Sequence, residues 1–297
     1  MRVSYLILTY NRKHDLQRCL DSVINQNWDD LEIVVVDNNS EDGTDQMVTN
    51  KYPQVQYVRV DYNSGVCQGR NIGFEAATGD VIVVIDDDGE LPDNNVTEAI
   101  AKGFQEHPQM GIMALKVLNP ADPATRRVIP STDKSIADLQ TDMEVAYFLG
   151  GGVAIRREVL DAVGTYPAAY FYSMEELDLS YRLAKTQWRI RYFPQITVLH
   201  HESVGQRPSW RRYYYDYRNR IWLTTSFLPL RYLVVNLGLW GVKLGLGALR
   251  HGHFKSFLKG ARDGVKGLSP YKQRRKQLKL KPQEVKRIRN LSGRLYY

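Results

Sequence analysis

The segment Val81-Ile82-Val83-Val84-Ile85-Asp86-Asp87-Asp88 joins a run of branched apolar residues to three carboxylates. Five such apolar residues in a row predict a strand that is buried on both faces, as strands inside a parallel sheet are. The carboxylates follow the carboxyl end of this strand, which is the edge where open α/β sheets bind their ligands. Because adjacent negative charges repel one another, a divalent cation that also contacts a phosphorylated ligand is the simplest occupant of this position. A solvated acidic turn is the alternative interpretation.

Strand and helix patterns alternate through the first hundred residues. Strands are predicted at residues 3–9, 31–36, 55–60 and 81–85, and helices at residues 13–26, 43–50 and 67–77. This alternation predicts a doubly wound α/β domain with a mostly parallel sheet. The sequence has no glycine-rich phosphate loop, so a metal and side chains such as Arg12 or Arg70 are expected to hold phosphates.

Two segments further along the chain are less regular. Residues 119–142 contain three prolines and little periodicity, and we predict a long loop there. Gly150, Gly151 and Gly152 precede an apolar strand pattern at residues 153–155. Three glycines allow the backbone to approach a ligand closely, although a plain tight turn fits the same pattern.

Charge divides the chain into two parts. The sequence has 40 basic and 33 acidic residues, but 21 of the basic and only three of the acidic residues follow residue 208. A body with a net charge of about −11 therefore precedes a tail with a net charge of about +18. We predict one nucleotide-binding α/β domain at residues 1–207 and a helical, basic and aromatic tail at residues 208–297.

The composition of the tail suggests a membrane surface as its partner. Aromatic residues alternate with arginine at residues 213–222, and residues 232–249 are apolar apart from Asn236 and Lys243. These interruptions favour helices that lie on an anionic membrane over one that crosses it. One alternative is a helical appendage with solvated charges. A surface that binds nucleic acid is a second alternative, which we do not expect.

The predicted location of the protein is the cytoplasm, at the inner face of the cell membrane. Cys19 and Cys67 form no disulfide framework and fall at positions that look helical and buried. The first predicted strand begins at residue 3, which leaves no room for a signal peptide in this sequence.

The motifs of this chain, taken in order, resemble those of the GT-A-fold glycosyltransferases of family 2. These are inverting enzymes that use nucleotide-activated sugars, and the likeness is greatest to the rhamnosyltransferase-like enzymes of bacterial surface polysaccharides. The resemblance extends from residue 1 to about residue 205. The matching segments are Thr9-Tyr10-Asn11-Arg12, Val36-Asp37-Asn38-Asn39-Ser40, Asn63-Ser64-Gly65, Gly69-Arg70-Asn71-Ile72-Gly73, Gly79-Asp80, Ile85-Asp86-Asp87-Asp88, Gly151-Gly152, residues 174–182 and His200.

The resemblance implies a role for each matching residue. Asp37 would read the nucleobase, Asp86 would lie beside the donor ribose, and Arg70 would face the nucleotide. Asp88 would bind Mn²⁺ or Mg²⁺ directly, and His200 would lie near the metal, although a histidine at a strand end is often only structural. The remaining donor residues would be Thr9, Tyr10, Asn11, Arg12, Asn39 and Asp87, and the acceptor or sugar pocket would include Gly151, Gly152 and Glu175.

The catalytic base is expected in the segment Glu175-Glu176-Leu177-Asp178, which opens a predicted helix at residues 175–185. Relatives carry a pair of carboxylates here, and the second is taken as the base that deprotonates the acceptor hydroxyl. That position is Glu176 in this chain, with Asp178 and then Glu175 as alternatives. Stabilisation of the helix dipole would also explain acidic residues in a first turn.

The sequence as a whole predicts a metal-dependent, inverting glycosyltransferase. It would move a hexosyl or deoxyhexosyl group from a UDP- or dTDP-sugar to a hydroxyl of a lipid-linked glycan, in the synthesis of a surface polysaccharide. The alternative is a relative that binds a nucleotide-sugar without turnover and regulates a synthase complex.

Overall fold

The computed structural model describes residues 1–121, 130–132, 140–201 and 209–295. Most of the loop predicted at residues 119–142 lies outside the described residues. The predicted domain boundary between residues 207 and 208 also lies outside them, in the segment 202–208.

The first half of the chain alternates strands and helices, and each predicted boundary lies within two residues of the observed one. Cys19 and Cys67 are buried in α1 and α3, as predicted. The elements are β1 (Val3–Thr9), α1 (Lys13–Ile24), β2 (Leu31–Asp37), α2 (Thr44–Lys51), β3 (Gln56–Arg59), α3 (Gly65–Ala76), β4 (Val81–Asp86), β5 (Gly89–Glu90), α4 (Val96–Glu106) and β6 (Met110–Leu118).

The second half adds strands to the same sheet and ends in a series of helices. The elements are β7 (Met143–Val145), β8 (Gly152–Arg156), α5 (Arg157–Val163), a 3₁₀ turn (Ala168–Tyr170), α6 (Glu175–Leu183), β9 (Arg189–His200), α7 (Trp210–Phe227), α8 (Leu230–Arg250), α9 (Phe254–Lys266), α10 (Ser269–Leu278) and α11 (Pro282–Asn290).

The sheet changes direction at β4. Its strand order is β3-β2-β1-β4-β8-β6-β9-β5, with β7 paired to β9. The first four strands are parallel, as predicted, whereas β8 runs antiparallel to β4 and places Gly152 opposite Ile85. At the far edge, His200 of β9 pairs with Gly89 of β5. The start of β8 and the end of β9 therefore both reach the carboxyl end of β4.

Both faces of the central strands are buried. Val84 and Ile82 of β4 belong to one core, and Val83 and Ile85 belong to the core on the other face. Side chains alternate across a strand, so this division is what a fully buried strand requires. The run of five branched residues was therefore a correct indicator of a strand covered by helices on both sides.

The tail packs against the α/β domain. Ile221, Trp222 and Phe227 of α7 are buried in the same core as Leu6 and Val84 of the sheet. Tyr213, at the start of the aromatic stretch, is also buried. Part of the aromatic stretch at residues 213–222 is thus inside the protein, because its buried rings close one side of the sheet. The division into two domains stays a prediction.

We expect Trp222→Ala to lower the free energy of unfolding by about 3 to 5 kcal/mol, as truncation of a buried aromatic side chain usually does. The Trp222 ring stacks on Tyr271 with 4.7 Å between ring centroids. Its Nε1–H also donates a hydrogen bond to the carbonyl oxygen of Gly264 at 2.8 Å. Urea unfolding followed by circular dichroism measures the loss.

Leu246→Ala is the matched control, since Leu246 lies on the tail helix α8 and is 62% exposed. This change should alter the free energy of unfolding by less than about 0.5 kcal/mol. Equal losses in the two variants would contradict the assignment of α7 to the common core.

Candidate functional site

A cavity of about 400 Å³ opens at the carboxyl edge of β1 and β4. Such a volume suits a small-molecule ligand with a few well-placed polar groups. Six of the predicted donor residues line it, together with the first turn of α7. The lining residues used below are Thr9, Tyr10, Arg12, Arg70, Asp86, Asp87, Phe171, Tyr172, Arg211 and Arg212.

Arg12 holds the acidic segment in place at one side of this cavity. Its Nη1 donates hydrogen bonds to Oδ1 of Asp87 at 2.9 Å and to Oδ2 of Asp88 at 2.7 Å. The hydroxyl of Thr9 donates to the other oxygen of Asp87 at 3.0 Å. Burial, opposed by Arg12 and reinforced by the neighbouring carboxylates, raises the pKa of Asp87 to about 7. The contacts of Asp87 therefore anchor the acidic segment, and Asp86 and Asp88 lie on either side of Asp87.

Asp86, Asp88 and His200 meet at the edge of the cavity. Their potential ligand atoms all lie within 4.8 Å of one another. Nε2 of His200 is 3.1 Å from Oδ1 of Asp88 and 3.5 Å from Oδ2 of Asp86. Oδ1 of Asp88 is buried yet has no well-aligned hydrogen bond among the described residues, so its contact with His200 is electrostatic.

The electrostatics of this cluster favour a cation. Burial alone would lower the pKa of His200, but Asp86 and Asp88 outweigh it and raise that pKa to about 10. Carboxylate oxygens and one imidazole nitrogen also form a donor set that suits Mn²⁺ or Mg²⁺. The residues present therefore fit a divalent metal, which would take the place of the His200 proton beside Oδ1 of Asp88.

Asp37 lies behind the cavity wall. It is fully buried, and its Oδ1 accepts a hydrogen bond from the backbone N–H of Ser40 at 2.9 Å. Its Oδ2 accepts a hydrogen bond from the Tyr57 hydroxyl and lies 3.6 Å from Nη1 of Arg59. These contacts shape the loop after β2, and Asp37 is not among the residues that line the cavity.

Asn11 and Asn39 also shape loops. Both have a positive φ, 53° and 70° respectively, which favours asparagine over most residues. The backbone N–H of Asn11 donates to the hydroxyl of Ser40 at 2.8 Å, and its side-chain oxygen accepts from the backbone N–H of Glu41 at 2.7 Å. The loop after β1 is thereby joined to the loop after β2, and neither asparagine lines the cavity.

Arg70 connects the acidic segment to the start of α6. Its Nη2 donates to Oδ1 of Asp86 at 2.8 Å and to the carbonyl oxygen of Gly150 at 3.0 Å. Its Nη1 lies 3.7 Å from Oε1 of Glu175. Arg70 is only 5% exposed, and burial opposes its charge, but the surrounding carboxylates raise its pKa.

Glu175 and Glu176 open α6 on the far side of Arg70. Glu175 is 3% exposed, and its Oε2 has no hydrogen-bond partner among the described residues. Burial and the charge of Glu176 raise the pKa of Glu175 to about 8. Burial also raises the pKa of Glu176, which is half-buried and accepts a hydrogen bond from the backbone N–H of Gly150.

Asp178 has a different environment from the two glutamates. It is fully buried, and its Oδ1 accepts a hydrogen bond from Nε of Arg182 at 2.8 Å. The Tyr170 hydroxyl donates to its Oδ2 at 3.2 Å, and the guanidinium of Arg274 in α10 contacts both oxygens at 3.3 Å. This carboxylate joins α6 to the tail, and two guanidinium groups neutralise it.

The glycine run has two different environments. A Cβ at Gly151 would lie 3.1 Å from Oδ2 of Asp86, so its backbone approaches the cation cluster closely. A Cβ at Gly150 would overlap the side chains of Arg70 and Glu176. A Cβ at Gly152 would instead meet a methyl group of Val117 at 2.7 Å, inside the sheet packing. Gly150, which was not assigned to the acceptor pocket, makes the tighter contact with the site.

The loop before α6 was missed by sequence reasoning. Phe171, Ser173 and Met174 all have a positive φ between 63° and 75°, which is costly for residues other than glycine. The side-chain amide nitrogen of Asn219 in α7 lies 2.7 to 3.0 Å from the carbonyl oxygens of Tyr170, Tyr172 and Ser173, which share its two N–H donors. Because this loop leads directly into Glu175, α7 determines where the two glutamates lie.

The first turn of α7 adds positive charge to the cavity. Arg211 and Arg212 line it, opposite Asp86 and Asp87. Their proximity could not be read from the sequence, because more than 120 residues separate them from the acidic segment. The one available signal was the cluster of polar residues Asp216, Arg218, Asn219 and Arg220 at helical spacing inside an aromatic stretch.

Comparisons with known proteins agree with this architecture. The sequence profile of Glycosyl transferase family 2 matches residues 4–164. An uncharacterized glycosyltransferase of Nostoc sp. is 31% identical over 172 residues, which are 55% of this chain and 53% of that protein. The match thus spans about half the length of the Nostoc protein. An N-acetylglucosaminyl-diphospho-decaprenol L-rhamnosyltransferase of Mycobacterium tuberculosis is 24% identical over 238 residues, 68% of this chain and 77% of that protein.

Solved structures share the fold. The mannosyltransferase PcManGT of Pyrobaculum calidifontis, solved in complex with GDP-Man and Mn²⁺, is 19% identical with a TM-score of 0.56, over 98% of this chain and 86% of its own. TarS 1-349 of S. aureus in complex with UDP-GlcNAc is 16% identical with a TM-score of 0.59, over 90% and 92%. These neighbours confirm the predicted GT-A fold. Since the family profile covers more than half of the chain, this protein belongs to glycosyltransferase family 2.

Proposed function

We propose that this protein transfers a sugar from a nucleotide-sugar to the hydroxyl of a glycan acceptor, with inversion at the anomeric carbon. The observation that carries the proposal is the arrangement around Arg70. One side of this guanidinium holds Asp86 of the cation cluster, and the other side faces the glutamates that open α6. A leaving diphosphate and an attacking hydroxyl need these two kinds of group at the ends of one reaction centre.

The cavity is the proposed donor site. Thr9, Arg12 and Arg70 supply polar contacts, and Tyr10, at 41% exposure, offers an aromatic face to a base or a sugar. Asp37 and Asn39 would act on the nucleobase through the loop that they shape. A UDP- or dTDP-sugar remains the proposed donor, in keeping with the UDP-GlcNAc bound to TarS and the rhamnosyl group that the mycobacterial relative is named for.

Asp88, Asp86 and His200 are proposed to hold Mn²⁺ or Mg²⁺. The metal, when bound, would neutralise the negative charge that develops on the departing diphosphate. Asp87 would keep the acidic segment in position through Arg12 and Thr9. The complex of PcManGT with GDP-Man and Mn²⁺ supports a metal of this kind.

Glu176 is proposed as the base that takes the proton from the acceptor hydroxyl. It is the more exposed of the two glutamates, and burial raises its pKa toward the range in which a carboxylate accepts a proton effectively. The alternative base, Asp178, already forms ion pairs with the guanidinium groups of Arg182 and Arg274. Glu175 is nearly inaccessible, and we assign it to the wall of the acceptor pocket with Gly151.

The acceptor is proposed to be a lipid-linked glycan, met at the cytoplasmic surface of the membrane. Support comes from α8, the described helix that is long and apolar enough to cross a membrane by length and composition. Its polar Asn236 is buried, donating to the carbonyl oxygen of Leu295 at 2.9 Å and accepting from Arg220 at 3.1 Å. The outward face of α8 therefore has exposed leucines and valines with the cations Arg231, Lys243 and Arg250 among them, which suits a helix lying on an anionic bilayer.

We expect Asp88→Asn to remove the stabilisation that Mn²⁺ gives together with a nucleotide-sugar. The change keeps the size of the side chain but removes the charge that would hold the metal. Thermal denaturation with a panel of nucleotide-sugars, with Mn²⁺ and with EDTA, measures the effect. Asp93→Asn, an exposed carboxylate outside the site, is the control, and an unchanged metal-dependent shift in Asp88→Asn would refute the metal assignment.

Glu176→Gln should retain the affinity for the donor and lose transfer by about 10²- to 10⁴-fold, the usual contribution of a general base. Donor binding by calorimetry and donor turnover measured on the same sample separate the two effects. Loss of donor binding would remove Glu176 from the role of base. A wild-type protein that binds a donor without turnover, even with lipid-linked acceptors present, would instead indicate a regulatory, non-catalytic relative.

The buried charge of Glu175 should make stability depend on pH. Its pKa is about 8 in the folded protein and about 4.5 in the unfolded chain, so only the unfolded chain releases this proton as the pH rises between those values. Wild type therefore loses more stability across this window than Glu175→Gln does, since other buried carboxyl groups such as Asp87 titrate in both proteins. In EDTA, we expect Glu175→Gln to be more stable than wild type by about 2 to 4 kcal/mol at pH 8.

Below about pH 4.5 the advantage of Glu175→Gln should disappear, because Glu175 is then protonated in both states of the wild type. Urea unfolding of both proteins at pH 4.5, 6 and 8 checks this prediction. Glu75→Gln is the control, because Glu75 is exposed on α3. A difference between Glu175→Gln and wild type that is constant with pH would contradict the prediction.

A further inference from the structure

A second cavity, of about 680 Å³, lies between the start of α8 and the last two helices. Three separate segments of the chain build it. They are the start of α8 at residues 229–232, the link between α10 and α11 at residues 279–282, and α11 at residues 285–290. The nucleotide-sugar site does not include any of its lining residues.

The rim of this cavity is cationic. Arg231, Lys279, Lys286 and Arg289 line it, and no carboxylate does. Among the described residues, none of these four side chains forms an ion pair with an acidic group. The carboxylate that is nearest in the chain, Glu284, lies 3.5 Å from Nζ of Lys185 and accepts a hydrogen bond from the backbone N–H of Lys281.

The positive potential of this cavity comes from its side chains. The N-termini of α8 and α11 border it at Pro229 and Pro282, but the C-terminal ends of α10 and α11 border it as well, at Lys279 and Asn290. The helix dipoles therefore largely cancel there, and the four cationic side chains remain. A multivalent anion would satisfy these four charges.

The floor of the cavity is apolar, and an apolar surface continues from it. Tyr232, Leu280 and Val285 are 0 to 4% exposed and form the floor. Leu230, between two lining residues, is 69% exposed. It begins a stripe on the outer face of α8 that runs for about 30 Å along the helix. The other members of the stripe, 42 to 63% exposed, are Val234, Val235, Leu239, Val242, Leu246 and Leu249.

We propose that this cavity binds the terminal phosphate or diphosphate of a membrane lipid, while the stripe of α8 lies on the bilayer around it. A cationic rim fits the phosphate, and the exposed stripe fits the hydrocarbon that a soluble anion lacks. The inference rests on the proposed membrane association, and it adds a defined headgroup site to the diffuse attraction between a basic tail and an anionic surface.

Vesicle flotation with matched charge reversals tests the site. The cavity variant is Lys279→Glu, Lys286→Glu and Arg289→Glu, and the control variant is Lys255→Glu, Lys259→Glu and Lys266→Glu on α9. All six side chains are exposed, so both variants should fold, and both change the net charge equally. A milder cavity variant with glutamine at the same three positions guards against misfolding.

The vesicles contain either phosphatidic acid, which has a terminal phosphate, or phosphatidylserine at the same surface potential. We expect wild type to bind the phosphatidic acid vesicles about tenfold more tightly, as several charge-assisted contacts to one phosphate allow. The cavity variants should lose this preference. The α9 variant should bind both vesicles less well and keep the preference.

Three results would overturn the inference. Equal binding of the two vesicles by wild type, or an equal loss of preference in both triple variants, would leave only diffuse electrostatics. Binding of inorganic diphosphate by wild type without vesicles, together with no preference among vesicles, would assign the cavity to a soluble anion.

Donor turnover, measured on the same proteins, separates this inference from the proposed function. Turnover with no vesicle preference would refute the headgroup site but not the proposed transferase activity. A vesicle preference without turnover of any donor would support the headgroup site and contradict the proposed transferase activity.

Discussion

Three adjacent carboxylates at the end of a buried strand are the constraint on which this structure depends. Cations from three parts of the chain balance them: Arg70 balances Asp86, Arg12 balances Asp87 and Asp88, and His200 also contacts Asp88. Unpaired, such charges would be costly to bury. The need to compensate them brings the start of α1, the helix α3 and the end of β9 to one edge of the sheet. The proposed donor cavity is the space that remains between these partners.

A second constraint is the strained loop that leads into α6. Three residues with positive φ within a stretch of four persist only where their surroundings hold them. Asn219 provides much of that support, and Arg218 adds hydrogen bonds to the carbonyl oxygens of Ala169 and Tyr170 at 2.9 and 2.8 Å. The helix that was predicted to be part of a separate tail thus positions the two glutamates of the site. Fold and proposed catalysis depend on the same helix.

Sequence patterns predicted the helices, strands and loops, which depend on neighbouring residues. They missed the contacts between residues that are distant in the chain. The branched run of β4, the helical spacing of α1 and the polar loops all act within a few residues, so periodicity alone places them. The resemblance to family 2 then pointed to Asp88 and His200, which the structure brings within 3.1 Å. The engagement of Asp178 by Arg274 and the burial of Asp37 behind Tyr57 depend on long-range packing, which no spacing in the sequence reveals.

The same long-range packing explains why the sequence of α8 resembled a membrane span that is interrupted by polar residues and glycines. One polar residue and two glycines of this helix face the protein: Asn236 bonds to Arg220, and Gly241 and Gly247 admit the rings of Tyr217 and Tyr213. Most of its leucines and valines face outward, with Arg231, Lys243 and Arg250 exposed among them, because α7 and α9 cover the other side. Since α7 also lines the proposed donor cavity and holds the loop before α6, one helix links the outward stripe to the proposed active site. On a membrane surface, this link would fix the height at which an acceptor hydroxyl meets Glu176.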